Sequence, residues 1–474
     1  DTVFSKFSLS SKTQDGYVIR DDGIDLGDDN SFSARAAFRI LPTDALEINL
    51  ALETSRDREN GPALTLIGIN HGNPVDPDTP PMATIHNVGA NLAAGGGPIP
   101  CAIPPAPLNL AVPGCYDNRY ISNGSNDSGT ADAYSDSDFW AVTLDMDWTL
   151  TDDMSLRSIT AFRDLDATFA RDGDHSPFRV SQFQDFLEQD QFTQELQLSG
   201  TSLEDSLNWI LGFYYFKESG DNRNELDFTV SRFRSGGHFD NESLALFAQG
   251  TYDVSKQLHI TAGVRYTDES KSFKPDQVIH QNYFAGSGHP QLDAPFMQAG
   301  GRILPFLNKE VNYTEVSPYL NLSFDVHDDL MLYASYSEGF KSGGFSQRVF
   351  PPIIAPFTAP PGTPDIDLIP SFLPEFAEVL EFGFKFSGLD DTLRFNGAIF
   401  STDYTDMQVQ VFTSVAPITK NAGKASIDGF ELELQLVLDD GWFVEAGVGF
   451  LDAGYDAIDF ATTFVNQSNE LERV

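Results

Sequence analysis

Apolar and polar residues alternate with a period of two along runs of eight or more residues, again and again down this chain. Leu46, Ile48, Leu50 and Leu52 interleave with Glu47, Asn49, Ala51 and Glu53. Leu144, Met146 and Trp148 interleave with Thr143, Asp145 and Asp147. Leu258, Ile260, Ala262, Val264 and Tyr266 interleave with His259, Thr261, Gly263 and Arg265. Phe430, Leu432, Leu434, Leu436 and Leu438 interleave with Glu431, Glu433 and Gln435, and only Val437 breaks the polar row. Period two gives a strand one apolar and one polar face, and helical spacing fits these segments poorly. The pattern predicts about 15 strands, at 3–12, 32–41, 45–56, 138–150, 154–169, 184–199, 207–220, 241–254, 258–273, 310–326, 330–345, 374–387, 392–412, 421–438 and 442–456. Strands of soluble proteins cluster near 5–6 residues. Many of these exceed the roughly 9–11 residues that a tilted strand needs to cross the apolar core of a bilayer.

The connections narrow the choice further. Short polar turns recur at Pro42-Thr43-Asp44, Thr151-Asp152-Asp153, Leu203-Glu204-Asp205, Ser255-Lys256-Gln257, His327-Asp328-Asp329, Leu389-Asp390-Asp391 and Asp439-Asp440-Gly441. Between them come longer connections at 13–31, 57–137, 170–183, 221–240, 274–309, 346–373 and 413–420. Strict alternation of short and long places all tight turns at one end of the strands. Transmembrane barrels have this asymmetry, with short periplasmic turns and long extracellular loops. A sandwich or propeller has no reason to sort its loops by length. Alternation alone cannot tell a sandwich, whose apolar face turns inward, from a membrane barrel, whose apolar face meets lipid; strand length and turn asymmetry favour the barrel. Trp148, Trp209 and Trp442 beside short turns, and Tyr252, Tyr266, Tyr333 and Tyr336 near strand ends, suit interfacial aromatic girdles.

Composition excludes other classes. With 70 Asp+Glu against 29 Lys+Arg, the formal charge is −41, which argues against a nucleic-acid partner bound through a basic face. At 41% hydrophobic and 12% aromatic residues, the chain is too apolar for acidic disorder. No run of 18 apolar residues provides a transmembrane helix. The Pro-rich stretches Pro74–Pro113 and Pro351–Pro370 interrupt one continuing pattern, so one large architecture is expected. No GxSxG, HExxH, P-loop or CxxC motif is found, and the eight His are scattered, so neither an enzyme nor a metal or cofactor site is expected.

Three blocks carry a resemblance to the barrel of TonB-dependent outer-membrane receptors. Tyr333-Ala-Ser-Tyr336-Ser-Glu338-Gly339-Phe340-Lys341-Ser-Gly343-Gly344-Phe345 resembles that family's aromatic strand leading to a Gly-Phe-Lys-x-Gly-Gly-Phe loop. Pro374-Glu375, followed by Glu381-Phe382-Gly383-Phe384-Lys385, is similar to the block opening its next hairpin. Asn421-Ala422-Gly423, running on to Gly429-Phe430-Glu431-Leu432-Glu433, resembles the block after that. Their order and spacing match as well. The resemblance implies an antiparallel transmembrane barrel in the bacterial outer membrane, with 22 strands and a plugged lumen in the whole protein. Residues 1–474 are then expected to be a partial barrel domain, with the plug and the last several strands absent from this chain. The implied function is energy-coupled uptake of a scarce nutrient such as a metal–siderophore, a cobalamin-like compound or an oligosaccharide. The implied partners are outer-membrane lipid, a small-molecule ligand and the TonB complex, the last acting through the absent plug. A passive porin and a soluble acidic β-rich surface-binding protein are the alternatives.

Within that frame the polar strand faces should line the interior. Arg265, Glu381, Arg394 and Asn396 are candidates for a ligand path, and Phe340 and Lys341 are expected to point into the outer vestibule. Gly339, Gly343 and Gly344 could permit a bulge or close backbone approach. Cys101 and Cys115, in the longest loop, suggest a disulfide. Acidic runs such as Asp172–Asp174 lack EF-hand spacing and read as solvated loops.

Overall fold

The computed structural model describes residues 2–69, 86–87, 115–229, 231–286, 288, 293–347, 349, 363–390, 392–412, 417–421, 423–438 and 441–458. Fifteen long strands make the main sheet: β1 (Val3–Gln14), β2 (Asp29–Thr43), β3 (Leu46–Glu59), β4 (Tyr134–Thr151), β5 (Met154–Asp172), β6 (Ser181–Ser202), β7 (Leu207–Phe228), β8 (Ser231–Asp253), β9 (Leu258–Pro275), β10 (Lys309–His327), β11 (Leu330–Lys341), β12 (Glu375–Gly388), β13 (Leu393–Thr405), β14 (Gly423–Leu438) and β15 (Trp442–Ile458). They lie side by side in chain order, each antiparallel to its neighbours. A short strand, Val278–Asn282, pairs with Ser231–Arg234 of β8 beyond the end of β9 and brings the sheet to 16 strands. Among the described residues the outer edges of β1 and β15 carry no partner strand.

The fifteen predicted segments correspond one to one with these strands, and the short–long alternation holds at every connection except that between β7 and β8. Each tight turn is tied sideways to the following hairpin. The amide of Thr149 donates to the Ala45 carbonyl (2.8 Å), Thr201 to Asp153 (3.0 Å), Asp253 to Ser206 (2.8 Å), Asp325 to Gln257 (2.8 Å), Ser387 to Asp329 (2.9 Å) and Val437 to Thr392 (2.8 Å). The hairpins are also staggered. Leu258 opens β9 opposite Phe324, yet β10 runs on to His327; Leu330 opens β11 opposite Phe386, yet β12 runs on to Gly388. A stagger near one residue per strand corresponds to a tilt of about 35°, the geometry of barrel walls.

Several loops differ from expectation. The connection expected at 221–240 is mostly strand: β7 and β8 pair continuously from Leu207–Tyr252 to Asp227–Arg232, so this hairpin projects as a two-stranded arm. The strand expected to reach 345 stops at Lys341, and Gly344–Phe345 pairs instead with Ser371–Phe372, which brings the Phe372 carbonyl and the Tyr313 ring against Gly343. Gly343 is therefore a true close approach, whereas Gly339 has open space around it. The strand expected at 392–412 breaks at Asp406, which takes φ 53°, and Gln408–Phe412 pairs instead with Pro417–Asn421.

One face of the sheet is apolar and exposed. Leu196, Phe213, Leu246, Tyr266 and Val316 follow one another in register from β6 to β10, with Leu246 53% and Val316 55% exposed. Phe382, Ile399, Phe430 and Phe450 do the same from β12 to β15. Burying one such side chain is worth about 1.5–3 kcal/mol, so a continuous exposed band of them requires lipid. Trp148 and Trp140 stand on this face of β4, eight residues apart. At about 3.3 Å per residue and the tilt above, they are roughly 20 Å apart along the membrane normal, close to the height of an outward apolar band. Phe162 packs on Trp140 with ring centroids 5.1 Å apart. Trp209, Trp442, Tyr252, Tyr266 and Tyr336 share the apolar face, but Tyr333 falls on the other one. It belongs to the interior, not to a girdle.

Candidate functional site

The opposite face, the inner one of a barrel whose apolar band meets lipid, is polar. Toward the tight turns its charges pair across strands: Arg35 with Glu53 (3.0 Å), Arg39 with Glu47 (2.8 and 2.7 Å) and Arg157 with Asp145 (3.0 and 2.8 Å). Midway up the wall two arrangements depart from simple pairing. Arg265 lies over the rings of Tyr214 and Phe247, 5.6 and 5.7 Å from their centroids, and its Nε donates to Thr267 Oγ1 (3.2 Å). Phe247 can lie there because its cross-strand partner is Gly212; any Cβ at that position would overlap the ring. On β11 and β12, Tyr333 lies across Gly383, donates its hydroxyl to Glu381 Oε1 (2.6 Å), and has the Lys385 ammonium 5.9 Å from its ring. Lys385 faces Asn396, which faces Glu433.

Five of the six ligand-path candidates, Arg265, Glu381, Asn396, Arg394 and Lys341, thus share the inner face. They do not form one cluster: Arg265 on β9 and Glu381 on β12 are separated by three strand spacings, about 14 Å. Arg394, beside Ser387 and Gln435, sits at the tight-turn end. Phe340 is corrected. It pairs with Phe376 on the face of Leu332, Tyr336 and Leu380, so it belongs to the upper aromatic edge of the apolar band. Lys341, the next residue, falls on the inner face, since adjacent strand residues point to opposite sides.

At the long-loop end, loops fold back onto the inner wall. Ile279, Met297, Ile303, Leu304 and Val349 pack on Leu226 and Phe228 of β7 and Phe233 of β8. Ile369, Phe345 and Ile366 pack on Phe239 and Phe273. All these strand residues share the parity of Tyr214, Phe247 and Arg265. Polar bonds fasten the same segments. Asn222 Nδ2 donates to Gln347 Oε1 (3.1 Å), while Ser235 Oγ (3.3 Å) and Gln277 Nε2 (3.0 Å) donate to the Gln347 carbonyl. Lys309 Nζ donates to the Ile369 carbonyl (2.8 Å). The segment leaving β11 therefore reaches back to β7, four strand spacings away, or about 19 Å, and covers the inner face of β9 and β10.

The three sequence blocks converge where this cover is rooted. Asn421 accepts from the Leu373 amide (2.7 Å) and donates to the carbonyls of Leu373 (2.8 Å) and Asp406 (2.8 Å). The Gln408 amide donates to Glu375 (2.5 Å), and its side chain donates to the carbonyls of Ser342 and Leu373 (both 3.0 Å). One junction thus holds the ends of β11, β12, β13 and β14.

The acidic loop run is consumed by backbone. Asp172 Oδ2 accepts from the amides of Thr130 (2.9 Å) and Ala131 (3.0 Å), and its Oδ1 from those of Asp174 (3.0 Å) and His175 (2.8 Å). Asp174 Oδ2 accepts from Val180 (3.1 Å) and Ser181 (2.8 Å). Asp172 and Asp174 are both 4% exposed, which corrects the solvated reading. Burial, and then the charge of Asp172, raise the Asp174 carboxyl to about 7. Cys101 lies outside the described residues; Cys115 is buried. Sequence reasoning missed Tyr214, Phe247, Gln277 and Gln347; the Gly212–Phe247 pairing was a possible signal for the first two, but none marked the loop residues.

Comparison with known proteins gives a consistent outcome. A protein family described as "TonB dependent receptor-like, beta-barrel" matches residues 78–473. Among curated relatives, the "Probable TonB-dependent siderophore receptor PiuA" of Acinetobacter baumannii is 38% identical over 81 residues, 17% of this chain and 10% of that protein. The "Pesticin receptor" of Yersinia enterocolitica is 25% identical over 253 residues, 53% of this chain and 32% of that protein. Among solved structures, the ferric yersiniabactin uptake receptor FyuA from Yersinia pestis superposes with a TM-score of 0.66 at 17% identity, covering 98% of this chain and 60% of that one. The chain therefore spans 10% and 32% of the curated relatives and 60% of the solved structure, less than two thirds of each.

Proposed function

The chain belongs to the TonB-dependent receptor β-barrel family, and from that premise we propose that it is the barrel wall of an energy-coupled uptake receptor for a scarce nutrient. The family is one of bacterial outer-membrane transport receptors, not enzymes. A metal–siderophore is the favoured cargo, since PiuA is named a probable siderophore receptor and FyuA a ferric yersiniabactin uptake receptor; a cobalamin-like compound or an oligosaccharide would use the same architecture. The observation that carries the reading is the loop cover seated on the inner wall. Gln347, Val349 and Ile369 seat loop segments on the inner face of β7, β8 and β9, which narrows the mouth above the wall. Ligand would enter past this cover and meet Lys341, Arg265 and the Tyr333–Glu381–Lys385 group. The TonB complex would act through a plug encoded outside these residues.

The test is accumulation of radio-iron-labelled ferric chelates by cells carrying the full-length receptor, with and without an energised inner membrane. Energy-dependent accumulation, reduced several-fold by Arg265→Ala, is expected. Accumulation that persists after de-energisation would mean passive permeation and defeat the proposal.

A further inference from the structure

One charged hollow of the described structure lies away from the inner face. It has a volume of about 560 Å³ and includes Asp166 of β5, Glu188 of β6, Asp221 and Arg223 of β7, Lys274 of β9 and Phe306. Register places it on the outside. Asp166, Glu188, Asp221, His238 and Lys274 are successive cross-strand partners, and their parity is that of Leu196, Phe213, Leu246 and Tyr266 in the apolar band. Its height is also fixed. Trp140 Nε1 donates to Asp164 (3.0 Å) at the upper edge of that band, and Asp166 is the next outward residue on the same strand. The hollow therefore opens sideways, roughly 5–15 Å above the apolar band, where the headgroups of the outer leaflet lie.

Its cations are unusual for so acidic a chain. Arg234 is bound by Glu225 (2.9 Å) and Asp276 (3.2 Å), and His238 stands between Asp221 (3.2 Å) and Asp240 (3.3 Å). Arg223 and Lys274 make no ion pair among the described residues. Aromatic rings hold them instead: Arg223 lies 4.2 Å from the centroid of Phe186, and Lys274 lies 4.2 Å from that of Phe306. A ring positions a cation without neutralising it, so both remain available to an anion. Asp166 and Glu188 on the same wall can accept hydrogen bonds from hydroxyl groups. Two open cations, hydroxyl-accepting carboxylates and a half-exposed aromatic ring form a set that fits a phosphorylated sugar.

We propose that this hollow is a binding site for the phosphorylated sugar headgroup of an outer-leaflet glycolipid. Arg223 and Lys274 take the phosphate, Asp166 and Glu188 take sugar hydroxyls, and the acyl chains lie along the apolar band below. Such a lipid would brace the projecting β7–β8 arm from outside, leaving the inner wall for cargo.

The full-length receptor is purified in detergent and titrated with bis-phosphorylated lipid A, dephosphorylated lipid A and the free glucosamine-disaccharide phosphate, with bound lipid counted by native mass spectrometry. Phosphorylated lipid should bind at least tenfold more tightly than the dephosphorylated form. Arg223→Gln with Lys274→Gln should remove most of that preference, whereas Lys256→Gln at the opposite rim should leave it intact. Asp166→Asn with Glu188→Gln removes repulsion and hydroxyl acceptors together; it should weaken the preference for sugar over a simple phosphate-headed lipid while still binding phosphate. Retained barrel folding is checked by heat-modifiable gel mobility. Equal binding of both lipid A forms, an unchanged preference in the Arg223/Lys274 variant, or equally tight binding of the free headgroup would each overturn the proposal.

Discussion

Removing the Asn421 side chain should loosen the loop roots selectively, and the structure sets the size of the effect. Asn421 makes three hydrogen bonds of 2.7–2.8 Å, one from the Leu373 amide and two to the carbonyls of Leu373 and Asp406. A net contribution of about 1 kcal/mol each gives about 3 kcal/mol for Asn421→Ala. If local opening governs exchange, that corresponds to roughly a hundredfold faster deuterium uptake at Leu373. Hydrogen exchange read on peptides spanning 363–388 in micelles measures this directly. The variant Asn421→Asp keeps the acceptor facing the Leu373 amide but loses both donations, so it should exchange at an intermediate rate. Strands β6–β9, which do not touch the junction, should be unchanged. Acceleration at Leu373 of less than about fivefold, or equal acceleration in β6–β9, would refute the idea that this amide group fastens the junction, because three lost bonds cannot cost under about 1 kcal/mol locally.

Other outcomes follow from the same geometry. The Asp174 carboxyl is raised to about 7, above the unfolded value of about 3.9, so the folded loop binds the proton more tightly. Its stability should fall as pH rises through that window, and protease nicking at 173–181 should be faster at pH 8 than at pH 5.5; equal or reversed rates would contradict this. Gly212→Ala should push Phe247 off its seat and cost about 1–3 kcal/mol by overpacking, lowering chelate accumulation as Arg265→Ala does; unaltered accumulation would show that the stacked arginine is not needed. Non-reducing peptide mapping should recover Cys101 and Cys115 in one linked peptide pair, whose closure of about 15 residues is worth on the order of 3 kcal/mol; labelling of free thiols at both positions would exclude the bridge.

Strands were legible because their information is local. Leu258 to Tyr266 fixes its own faces through period two, and the Leu389-Asp390-Asp391 cluster marks its own turn. Strand ends were less legible where a distant segment takes part: beyond β11, Gly344–Phe345 pairs with Ser371–Phe372, which no window around Gly343 contains. The site was legible as a face but not as a set of contacts. Arg265 could be assigned to the inner wall from alternation, yet its stacking depends on Gly212 lying opposite Phe247 on a neighbouring hairpin. Phe340 was misplaced because the resemblance suggested a loop role, while strict alternation from Leu332 already assigned it to the lipid side. The inward fold of Gln347 and Ile369 had no sequence signature, since Gln and Ile carry no preference for one loop course over another.

The large excess of acidic groups does not close the inner wall to an anionic chelate. Near the tight turns, Arg35, Arg39 and Arg157 are each neutralised by a carboxylate. Higher up, Arg265 and Lys385 are held by rings instead, and neither forms an ion pair among the described residues. At physiological salt, charges more than about 8 Å apart in wet surroundings are largely screened, so a ligand at Arg265 responds mainly to the groups immediately around it. A ring-held cation keeps its charge and gives up rotational freedom before ligand arrives, which lowers the ordering cost of binding. Replacing the rings should therefore weaken capture even though no charge is altered. Tyr214→Leu with Phe247→Leu is expected to reduce chelate affinity several-fold while leaving Arg265 in place. Undiminished affinity in that double variant, with the barrel folded, would mean that the arginine acts as a point charge alone and that the stacking geometry has no part in recognition.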